Sequence, residues 1–527
     1  MLEAQVGRLF GRIPSPQRED LLAAFAGGSR EERVAAVAEV LRVCGQPWRD
    51  DAARWIAGLL SVERLVPDNV ASWRPMVRDA MTFVAAHISD DRLAPKIVEQ
   101  IELPRDTAPE VRLGVLIAKT PGLQKLGQVI ARVRHLNPLL RAELQKLENG
   151  IRDIGAGEVR AIVEDRLGPA LAAYRVELAD ELLSEASVSA ILEFTWMNHA
   201  LGRREAGVFK VIKPHVPSCY AEDLNLLQRL AEYLRCQNAY FVSPQVTETL
   251  DEVRQLLASE VDFRREQATL AEVRRVYVRP GVRTPKPIPE LSTDEITAMS
   301  VERGSKVTEA RRLHPLQRRR LASELVAFLV AHPIFSPEQD ALFHADPHAG
   351  NLFFDETANE VIVLDWSLTA RLNREDRRQV GRLIMAMIFR DQGGVLDAIL
   401  ALSHSSGRAD PATGAIVDRE VKAFFASLPF VASLTTMDAM RLLELVGVAG
   451  VRFPASLVMV RKVLFTLDGV LHDVIGGEVR LDNVISREFV ARFAKPSLPP
   501  PFGWTDYLAV QLSAFRYATG MWALKSA

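Results

Sequence analysis

The stretch that decides the fold is Phe343-His-Ala-Asp-Pro-His-Ala-Gly-Asn-Leu-Phe-Phe354, in the second half of the 527-residue chain. In it Asp346 and Asn351 stand five positions apart, and the apolar run that follows is typical of a strand. A second apolar run, EVIVLDW, contains Asp365, fourteen residues after Asn351. A carboxylate and an amide thus lie in a loop between two predicted strands, and a second carboxylate ends the next strand. This pattern indicates a polar site at the edge of a small sheet.

These three side chains have the chemistry that transfer of a phosphoryl group needs. One carboxylate orients or deprotonates the attacking hydroxyl or water, while an amide and a second carboxylate hold Mg²⁺ against the phosphates of ATP. The same spacing from Asp to Asn, followed by a strand that delivers another Asp, occurs in the catalytic loop of protein kinases. We therefore predict that Asp346 is the catalytic base or orienting group and that Asn351 and Asp365 bind Mg²⁺.

A different kind of site could use overlapping residues. His344, Asp346 and His348 alternate along the chain, and with Asp365 they could bind zinc, iron or manganese, which accept imidazole and carboxylate ligands. Residues two apart share one face of a strand, but Pro347 is poorly placed inside a central strand. A metallohydrolase is therefore the alternative to phosphoryl transfer.

A kinase-like site also needs a lysine on the nucleotide phosphates, held by a glutamate of a helix. Lys210 lies in the apolar run VFKV, where a charge is otherwise unwelcome, whereas Lys213 precedes a proline and marks the end of that strand. The glutamate candidate is Glu266, in the charged run EVDFRREQ of residues 260–267. We predict that Lys210 binds phosphate and that its partner is Glu266 or one of the acidic neighbours of Glu266 in this run. Lys210 and Glu266 are counted here among the predicted catalytic residues.

Two motifs that precede this lysine resemble those of the UbiB/AarF-type atypical kinases, a family associated with ubiquinone biosynthesis. Lys125-Leu-Gly-Gln128 resembles the family's KxGQ motif. Ala186-Ser187, with the valine that follows, resembles the end of the alanine-rich loop that replaces the glycine-rich loop of protein kinases. The resemblance implies that Lys125, Gln128, Ala186 and Ser187 contribute to nucleotide binding together with Lys210.

Two further motifs complete the resemblance. The acidic pattern Glu260-x-Asp262-x3-Glu266 resembles that of the family's glutamate-bearing helix, and HADPHAGN, residues 344–351, is nearly the family's catalytic loop. The four motifs occur in the family's order and cover about residues 115–400. The resemblance therefore does not extend to the amino-terminal part of the chain.

The resemblance implies an α+β, protein-kinase-like two-lobed fold, with a small β-containing lobe, a helical lobe and an additional all-α N-terminal domain. It implies ATP and Mg²⁺ as cofactors, and a UbiB-like kinase or ATPase that supports lipid or isoprenoid-quinone metabolism beside a partner enzyme of that pathway. Asp365-Trp-Ser stands where the family has Asp-Phe-Gly, and the Asp-Trp pair is similar to aminoglycoside and choline kinases. A small-molecule phosphotransferase and a catalytically degenerate, ATP-gated scaffold are therefore alternatives.

The sequence pattern divides the chain into five parts. Apolar residues at intervals of three and four predict an all-helical domain at the amino terminus. The runs ASVSAILEFTW and AGVFKVIK predict a pair of antiparallel strands farther on. The predicted parts are the N-terminal helical domain 1–110, the KxGQ-containing helical extension 111–177, the kinase-like N-lobe with a helical insertion 178–303, the helical C-lobe 304–495 and the aromatic amphipathic tail 496–527.

Composition excludes several classes of protein. The chain has 65 Lys+Arg against 67 Asp+Glu, and with 48% hydrophobic residues this balance excludes a disordered chain and a dedicated nucleic-acid binder. Three scattered cysteines fit neither a disulfide framework nor a zinc site. The amino terminus lacks the apolar core of a signal peptide. We therefore predict a cytoplasmic protein, whose residues 501–527 either pack on the helical lobe or contact the inner face of the membrane.

Overall fold

The computed structural model describes residues 2–66, 68–118, 120–131, 137–146, 154–186, 188–237, 250, 253–255, 257–277, 280–403, 410–428, 434–475, 484–485, 489–490 and 502–526. The chain divides into two compact units. Unit 1 is Met1–Phe263 with Ile288–Ala298, and unit 2 is Arg264–Pro287 with Met299–Ala527.

The described residues of unit 1 up to Ala173 form helices joined by turns and short loops. These helices are Leu2–Gly11, Ser15–Gly27, Arg30–Leu59, Val62–Leu65, Arg74–His87, Asp90–Glu102, Pro109–Ile117, Pro121–Ala131, Pro138–Lys146 and Ala156–Ala173, with a 3-10 turn at Asp68–Trp73. The third is broken at Gly45, whose φ of +60° suits a residue without a Cβ. The predicted all-helical region is confirmed, and its buried apolar side chains share one core cluster with those of the later helix Val216–Arg235.

Ten strands are described in the two units, and they are numbered here in chain order. They are β1 Glu177–Glu185, β2 Ser189–Asn198, β3 Arg203–Ile212, β4 Val282–Arg283, β5 Ile296–Ser300, β6 Ser305–Lys306, β7 Asp340–His344, β8 Leu352–Asp355, β9 Glu360–Val363 and β10 Thr369–Asn373. One sheet has the order β1-β2-β3-β5. Within it β2 pairs antiparallel with β3, which confirms the antiparallel strand pair predicted from the two apolar runs.

Strand β1 differs from the sequence prediction. No strand is predicted before the alanine-rich loop, but Ser184 and Glu185 are the last residues of β1 and pair with Ile191 and Ala190 of β2. The prediction was wrong there because β1 is an edge strand with charged and half-exposed residues along its length, so it lacks the alternation of a half-buried strand. The loop that follows therefore begins at Ala186.

Unit 2 consists mainly of helices around two small sheets. Its helices are Phe263–Val276 (which starts on the last unit 1 residue of that segment), Pro315–Val326, His332–Ile334, Arg374–Ile388, Gln392–Leu402, Pro411–Ser427, Thr436–Val448, Ala455–Ile475 and Trp504–Ser526, with a π turn at Ala327–Ala331. The sheets have the orders β10-β7 and β4-β9-β8-β6. Strands β8 and β9 correspond to the two apolar runs predicted as strands after the motif, whereas β4, β6, β7 and β10 were not predicted.

The buried side chain of Arg377 fixes the start of β7 and so the approach to the motif. Its guanidinium donates hydrogen bonds to the carbonyl oxygens of Ser336, at 2.6 Å, and Glu338. Arg377 lies in the helix Arg374–Ile388, which Asn373 caps by accepting a hydrogen bond from Asp376 N at 2.8 Å. An arginine that satisfies several carbonyl oxygens can anchor an irregular loop that has no regular secondary structure of its own.

The tail helix Trp504–Ser526 packs on unit 2 through polar as well as apolar contacts. Asp506 is buried, and both its carboxylate oxygens accept from Arg378 Nε at 2.9 Å. Ser513 Oγ donates to Asp391 Oδ2 at 2.5 Å. Phe502 lies against Gly381, where a Cβ would meet the phenyl ring at 2.3 Å. No helix in the described part of the chain combines the length and the apolar character that crossing a bilayer requires.

Candidate functional site

The catalytic loop starts from a buried histidine at the end of β7. His344 Nε2 lies 3.2 Å from Leu364 O, and its Nδ1 accepts a hydrogen bond from Asp346 N at 3.2 Å. Burial lowers the pKa of His344, so its neutral form is favoured. A neutral ring with its proton on Nε2 satisfies both contacts, and His344 thereby fixes the backbone on which Asp346 stands.

Asn351 connects the loop to the end of strand β9. Its Nδ2 donates to Asp346 O at 3.2 Å, and its backbone oxygen accepts from Leu364 N at 2.8 Å. The first contact closes the five-residue loop, and the second brings Asn351 beside the residue that precedes Asp365. The three predicted residues therefore lie at one edge of the sheet, as the motif spacing predicts.

Asp365 follows strand β9 in an unusual backbone conformation. Its φ is +48°, in the left-handed region, and its Oδ1 accepts a hydrogen bond from Ser367 N at 3.2 Å. Aspartate tolerates this region better than most residues because its short side chain can bond the backbone locally. The next residue, Trp366, is buried and donates from Nε1 to Val363 O at 3.1 Å, which holds the turn in place.

The donors at this edge fit a hard cation such as Mg²⁺. The Asn351 amide nitrogen is bonded to the Asp346 carbonyl oxygen, so the amide oxygen is the atom left to accept a cation. Asp365 supplies a carboxylate, and oxygen ligands of these two kinds are those Mg²⁺ takes. Asn351 and Asp365 are the residues that would hold the ion, and their roles as Mg²⁺ ligands stay a prediction.

The transition-metal alternative is not supported. Both ring nitrogens of His344 contact backbone atoms, which leaves neither for a metal ion. Within the described ranges, no group of three or more His, Cys, Asp or Glu side chains is placed to hold a metal ion. His348 accepts from Gly350 N through Nδ1 at 3.0 Å, and its Nε2 lies 3.7 Å from Asp346 Oδ2.

Unit 1 carries the predicted phosphate-binding lysine. Lys210 is buried in β3 opposite Ile191, with its ammonium 5.4 Å from the centroid of the Phe263 ring. The predicted partner, Glu266, is buried on the helix Phe263–Val276. Lys210 and Glu266 fall in different units, so the pairing of the two stays a prediction.

The KxGQ motif lies on the helix Pro121–Ala131, within unit 1. Lys125 forms an ion pair with Glu260 Oε1, and Tyr220 donates to Glu260 Oε2 at 3.0 Å. Glu260 and Asp262 precede the helix that starts at Phe263, so only Glu266 of the acidic motif is on that helix. Lys125 therefore contacts the acidic motif, and its predicted contribution to nucleotide binding stays a prediction.

The remaining predicted nucleotide-binding residues are only partly described. Ala186 is exposed, and its backbone nitrogen donates to Ser189 O at 2.8 Å. Ser187 and the side chain of Gln128 lie outside the described residues.

Sequence reasoning missed one charged residue next to the catalytic loop. Lys462 Nζ lies 3.9 Å from Asp346 Oδ1, although the two residues are far apart in the chain. Lys462 belongs to the helix Ala455–Ile475 and to no motif whose spacing could have pointed to it.

Comparisons with known proteins find a family model and several related sequences. Residues 146–399 match the family described as the ABC1 atypical kinase-like domain. The chain is 26% identical over 307 residues to Probable protein kinase UbiB of Actinobacillus pleuropneumoniae serotype 7, a match that covers 57% of this chain and 54% of that protein. It is 25% identical over 360 residues to Uncharacterized protein Rv0647c of Mycobacterium tuberculosis, covering 67% and 69%. The chain thus spans about half the length of the UbiB relatives it matches.

A solved structure is similar at a lower level. It is the complex of Rv3197 with erythromycin from Mycobacterium tuberculosis, which is 18% identical, has a TM-score of 0.46, and covers 66% of this chain and 85% of that chain.

The family match and the mixed helical and sheet content indicate a protein-kinase-like fold, with an all-helical region before residue 146. The match over residues 146–399 and the similarity to UbiB proteins support a UbiB/AarF-type atypical kinase domain, in agreement with the family resemblance carried by the motifs and with the expected enzyme class. Kinase-like families of this kind generally use ATP and Mg²⁺.

Proposed function

We propose that this chain binds ATP with Mg²⁺ and transfers the γ-phosphoryl group, as a UbiB-like atypical kinase or ATPase that supports lipid or isoprenoid-quinone metabolism. One observation supports the proposal above all. The bonds from Asn351 to Asp346 O and from Leu364 N to Asn351 O place a carboxylate, an amide and a second carboxylate at the same sheet edge. This is the set of groups that phosphoryl transfer requires.

Each residue has a distinct task in this proposal. Asp346 accepts the proton of the attacking hydroxyl or water, or orients that group for attack. Asn351 and Asp365 hold Mg²⁺, which when bound neutralises charge on the phosphates. Lys210 contacts the phosphates, and Glu266 orients it, as the corresponding pair does in protein kinases.

The acceptor is proposed by class only. An Asp-Trp pair in place of Asp-Phe-Gly favours a small hydroxylated molecule or water over a protein side chain, because it is similar to small-molecule kinases. A catalytically degenerate protein that binds ATP and acts as a scaffold is the alternative. The two differ in turnover, which a direct assay separates.

Release of ADP, measured with and without Mg²⁺, tests the proposal. We expect Mg²⁺-dependent release from the wild type, and Asp346→Asn should lower its rate about 10²–10⁴-fold, the usual contribution of a positioned base. The matched control is Asp397→Asn, an exposed aspartate of the helix Gln392–Leu402, which should leave the rate unchanged. Nucleotide binding without release would support the scaffold, and no binding at all would contradict both.

We also propose that the tail helix contacts the surface of an anionic bilayer. Four large apolar residues on it are between 50% and 66% exposed, namely Trp504, Leu508, Leu512 and Phe515. At 100° per residue they form one stripe about 17 Å long. The polar residues that bind the body of unit 2, Asp506 and Ser513, lie on the opposite face.

This arrangement reverses the usual amphipathic pattern of a surface helix, in which the apolar face is buried. Tryptophan suits the boundary between headgroups and acyl chains, and the exposed Arg516 beside Phe515 adds a positive charge for anionic headgroups. Anchoring by a buried carboxylate would keep the stripe turned outward. We therefore expect a lipid surface to cover this face of the helix.

A further inference from the structure

A lysine from a distant helix lies next to the catalytic aspartate. Lys462 Nζ is 3.9 Å from Asp346 Oδ1, and the two side chains are 22% and 12% exposed. The helix Ala455–Ile475, which carries Lys462, packs against β10 and against the helix Pro315–Val326. The ammonium is thus held beside the loop by the packing of its helix.

The catalytic loop has no lysine or arginine of its own. Between Asp346 and Asn351 the sequence is Pro-His-Ala-Gly, and the ring of His348 is engaged by Gly350 N through Nδ1 at 3.0 Å. In phosphoryl transfer, negative charge spreads over three equatorial oxygens of the moving group, and a fixed cation at that position stabilises the transition state. Among the described residues around Asp346, Lys462 provides such a cation.

We propose that Lys462 is a further catalytic residue, whose ammonium holds the Asp346 carboxylate and contacts the γ-phosphoryl oxygens during transfer; this rests on the proposed function. In the step, the bond from the γ-phosphorus to the β,γ-bridging oxygen breaks, and ADP leaves with that electron pair. The lone pair of the acceptor oxygen forms the new bond to phosphorus, and the acceptor's proton goes to the Asp346 carboxylate. Lys462 keeps its proton throughout.

A purely structural counter-ion would behave differently from a catalytic one. A counter-ion of Asp346 would affect folding and the unliganded protein, whereas a group that contacts the moving phosphoryl affects kcat and the binding of a transition-state mimic. The Michaelis constant for ATP would change little, because Lys462 lies next to Asp346 and acts on the group in transit.

The test compares four full-length proteins: wild type, Lys462→Met, Lys462→Arg and Arg461→Met. Arg461 is the next residue of the same helix and pairs with Glu444 at 3.5 Å, so it controls for changes in the helix. We expect Lys462→Met to lower kcat about 10²–10³-fold, as removal of one transition-state donor does, with little change in KM for ATP. Lys462→Arg should have a rate between those of Lys462→Met and the wild type. Arg461→Met should have the rate of the wild type.

A binding measurement on the same four proteins tests the role of Lys462 even where turnover is slow or a variant is less stable. In the wild type, ADP with Mg²⁺ and aluminium fluoride should raise the melting temperature more than ADP with Mg²⁺ does. Lys462→Met should lose this additional increase in melting temperature. Without nucleotide, and with ADP and Mg²⁺, its melting temperatures should match those of the wild type.

Three outcomes overturn the inference. Equal kcat in Lys462→Met and Arg461→Met, or an unchanged excess with aluminium fluoride, removes Lys462 from the reaction and leaves the proposed function standing. Lys462 has only a structural role if Lys462→Met melts at a lower temperature than the wild type without nucleotide and ADP removes this difference. A wild type that no nucleotide stabilises overturns the proposed function, and this inference with it.

Discussion

Lys213 Nζ and Glu185 Oε1 lie 2.7 Å apart in an ion pair whose side chains are 0% and 8% exposed. Lys213 directly follows β3, and Glu185 ends β1. A carboxylate at this position, next to the alanine-rich loop, would repel a nucleotide phosphate if its charge were not compensated. The structure instead gives this carboxylate a buried cation, so its charge is compensated within unit 1.

Removing one member of this pair should destabilise unit 1 strongly. Lys213→Met leaves a buried carboxylate without its cation, and we expect a loss of about 3–5 kcal/mol in the free energy of unfolding. Urea unfolding followed by circular dichroism measures it. The double variant Lys213→Met/Glu185→Leu should recover most of the loss, whereas Lys422→Met, at an exposed pair with Asp418, should change little. Equal effects of Lys213→Met and Lys422→Met would contradict the prediction.

The KxGQ helix should not tolerate a side chain at Gly122. A Cβ there would lie 2.7 Å from Asp223 Cβ, and Gly122 N donates to Asp223 Oδ2 at 2.5 Å. We expect Gly122→Ala to cost about 1–3 kcal/mol, as overpacking does, with faster amide exchange in this helix. The control is Gly157→Ala, where a Cβ would meet nothing within 4 Å and a helical glycine is replaced, so stability should be unchanged or higher. Equal stabilities of the two variants would refute this account of Gly122.

The catalytic loop should make unit 2 sensitive to acid. Burial holds the pKa of His344 below its ordinary value of 6.5, so the unfolded chain binds a proton that the folded chain does not. The stability due to neutral His344 is therefore fully present above about pH 6.5 and is lost as the pH falls below it. Melting temperatures at pH 7.5 and pH 5.5 should differ less in His344→Asn than in the wild type.

The control for the pH experiment is His199→Asn, which removes an exposed imidazole of unit 1. It should keep the pH dependence of the wild type. An identical difference in His344→Asn and the wild type would show that the buried ring does not cause the acid sensitivity.

The tail helix should bind lipid vesicles through its exposed stripe. The wild type should sediment with vesicles that contain anionic lipid, less so as salt is raised. Trp504→Ser/Leu508→Ser/Phe515→Ser should stay in the supernatant. A matched change of exposed apolar residues elsewhere, Leu445→Ser/Val448→Ser, should bind like the wild type. Equal sedimentation of both variants, or none by the wild type, would refute the lipid contact.

Much of the fold follows from sequence patterns, and the exceptions have physical reasons. Strands β2, β3, β8 and β9 were predicted because they are runs of β-branched and aromatic residues. β1 was missed because four of its nine residues are charged and its apolar residues do not alternate. β10 was missed because it has only five residues, of which one is charged and two are polar, so it shows no clear period. The amino-terminal helices show the helical period plainly.

The candidate site divides in the same way. Asp346, Asn351 and Asp365 were predicted because the motif has fixed local spacing. Lys462 could not be predicted, because its position beside Asp346 depends on the packing of a helix more than a hundred residues later in the chain. Pairing of Lys213 with Glu185 likewise depends on the register of β1, a strand that the sequence pattern does not reveal.

Thermal unfolding shows whether Asp365 and Asn351 hold Mg²⁺ on ATP. The wild type and Asp365→Asn are melted alone, with ATP, with Mg²⁺, and with both. At 100 times its dissociation constant a ligand adds about 2.7 kcal/mol, which is easily measured. We predict that ATP with Mg²⁺ stabilises the wild type more than either alone, and that Asp365→Asn loses this excess. No stabilisation of the wild type by nucleotide, or the same excess in Asp365→Asn, would contradict the claim.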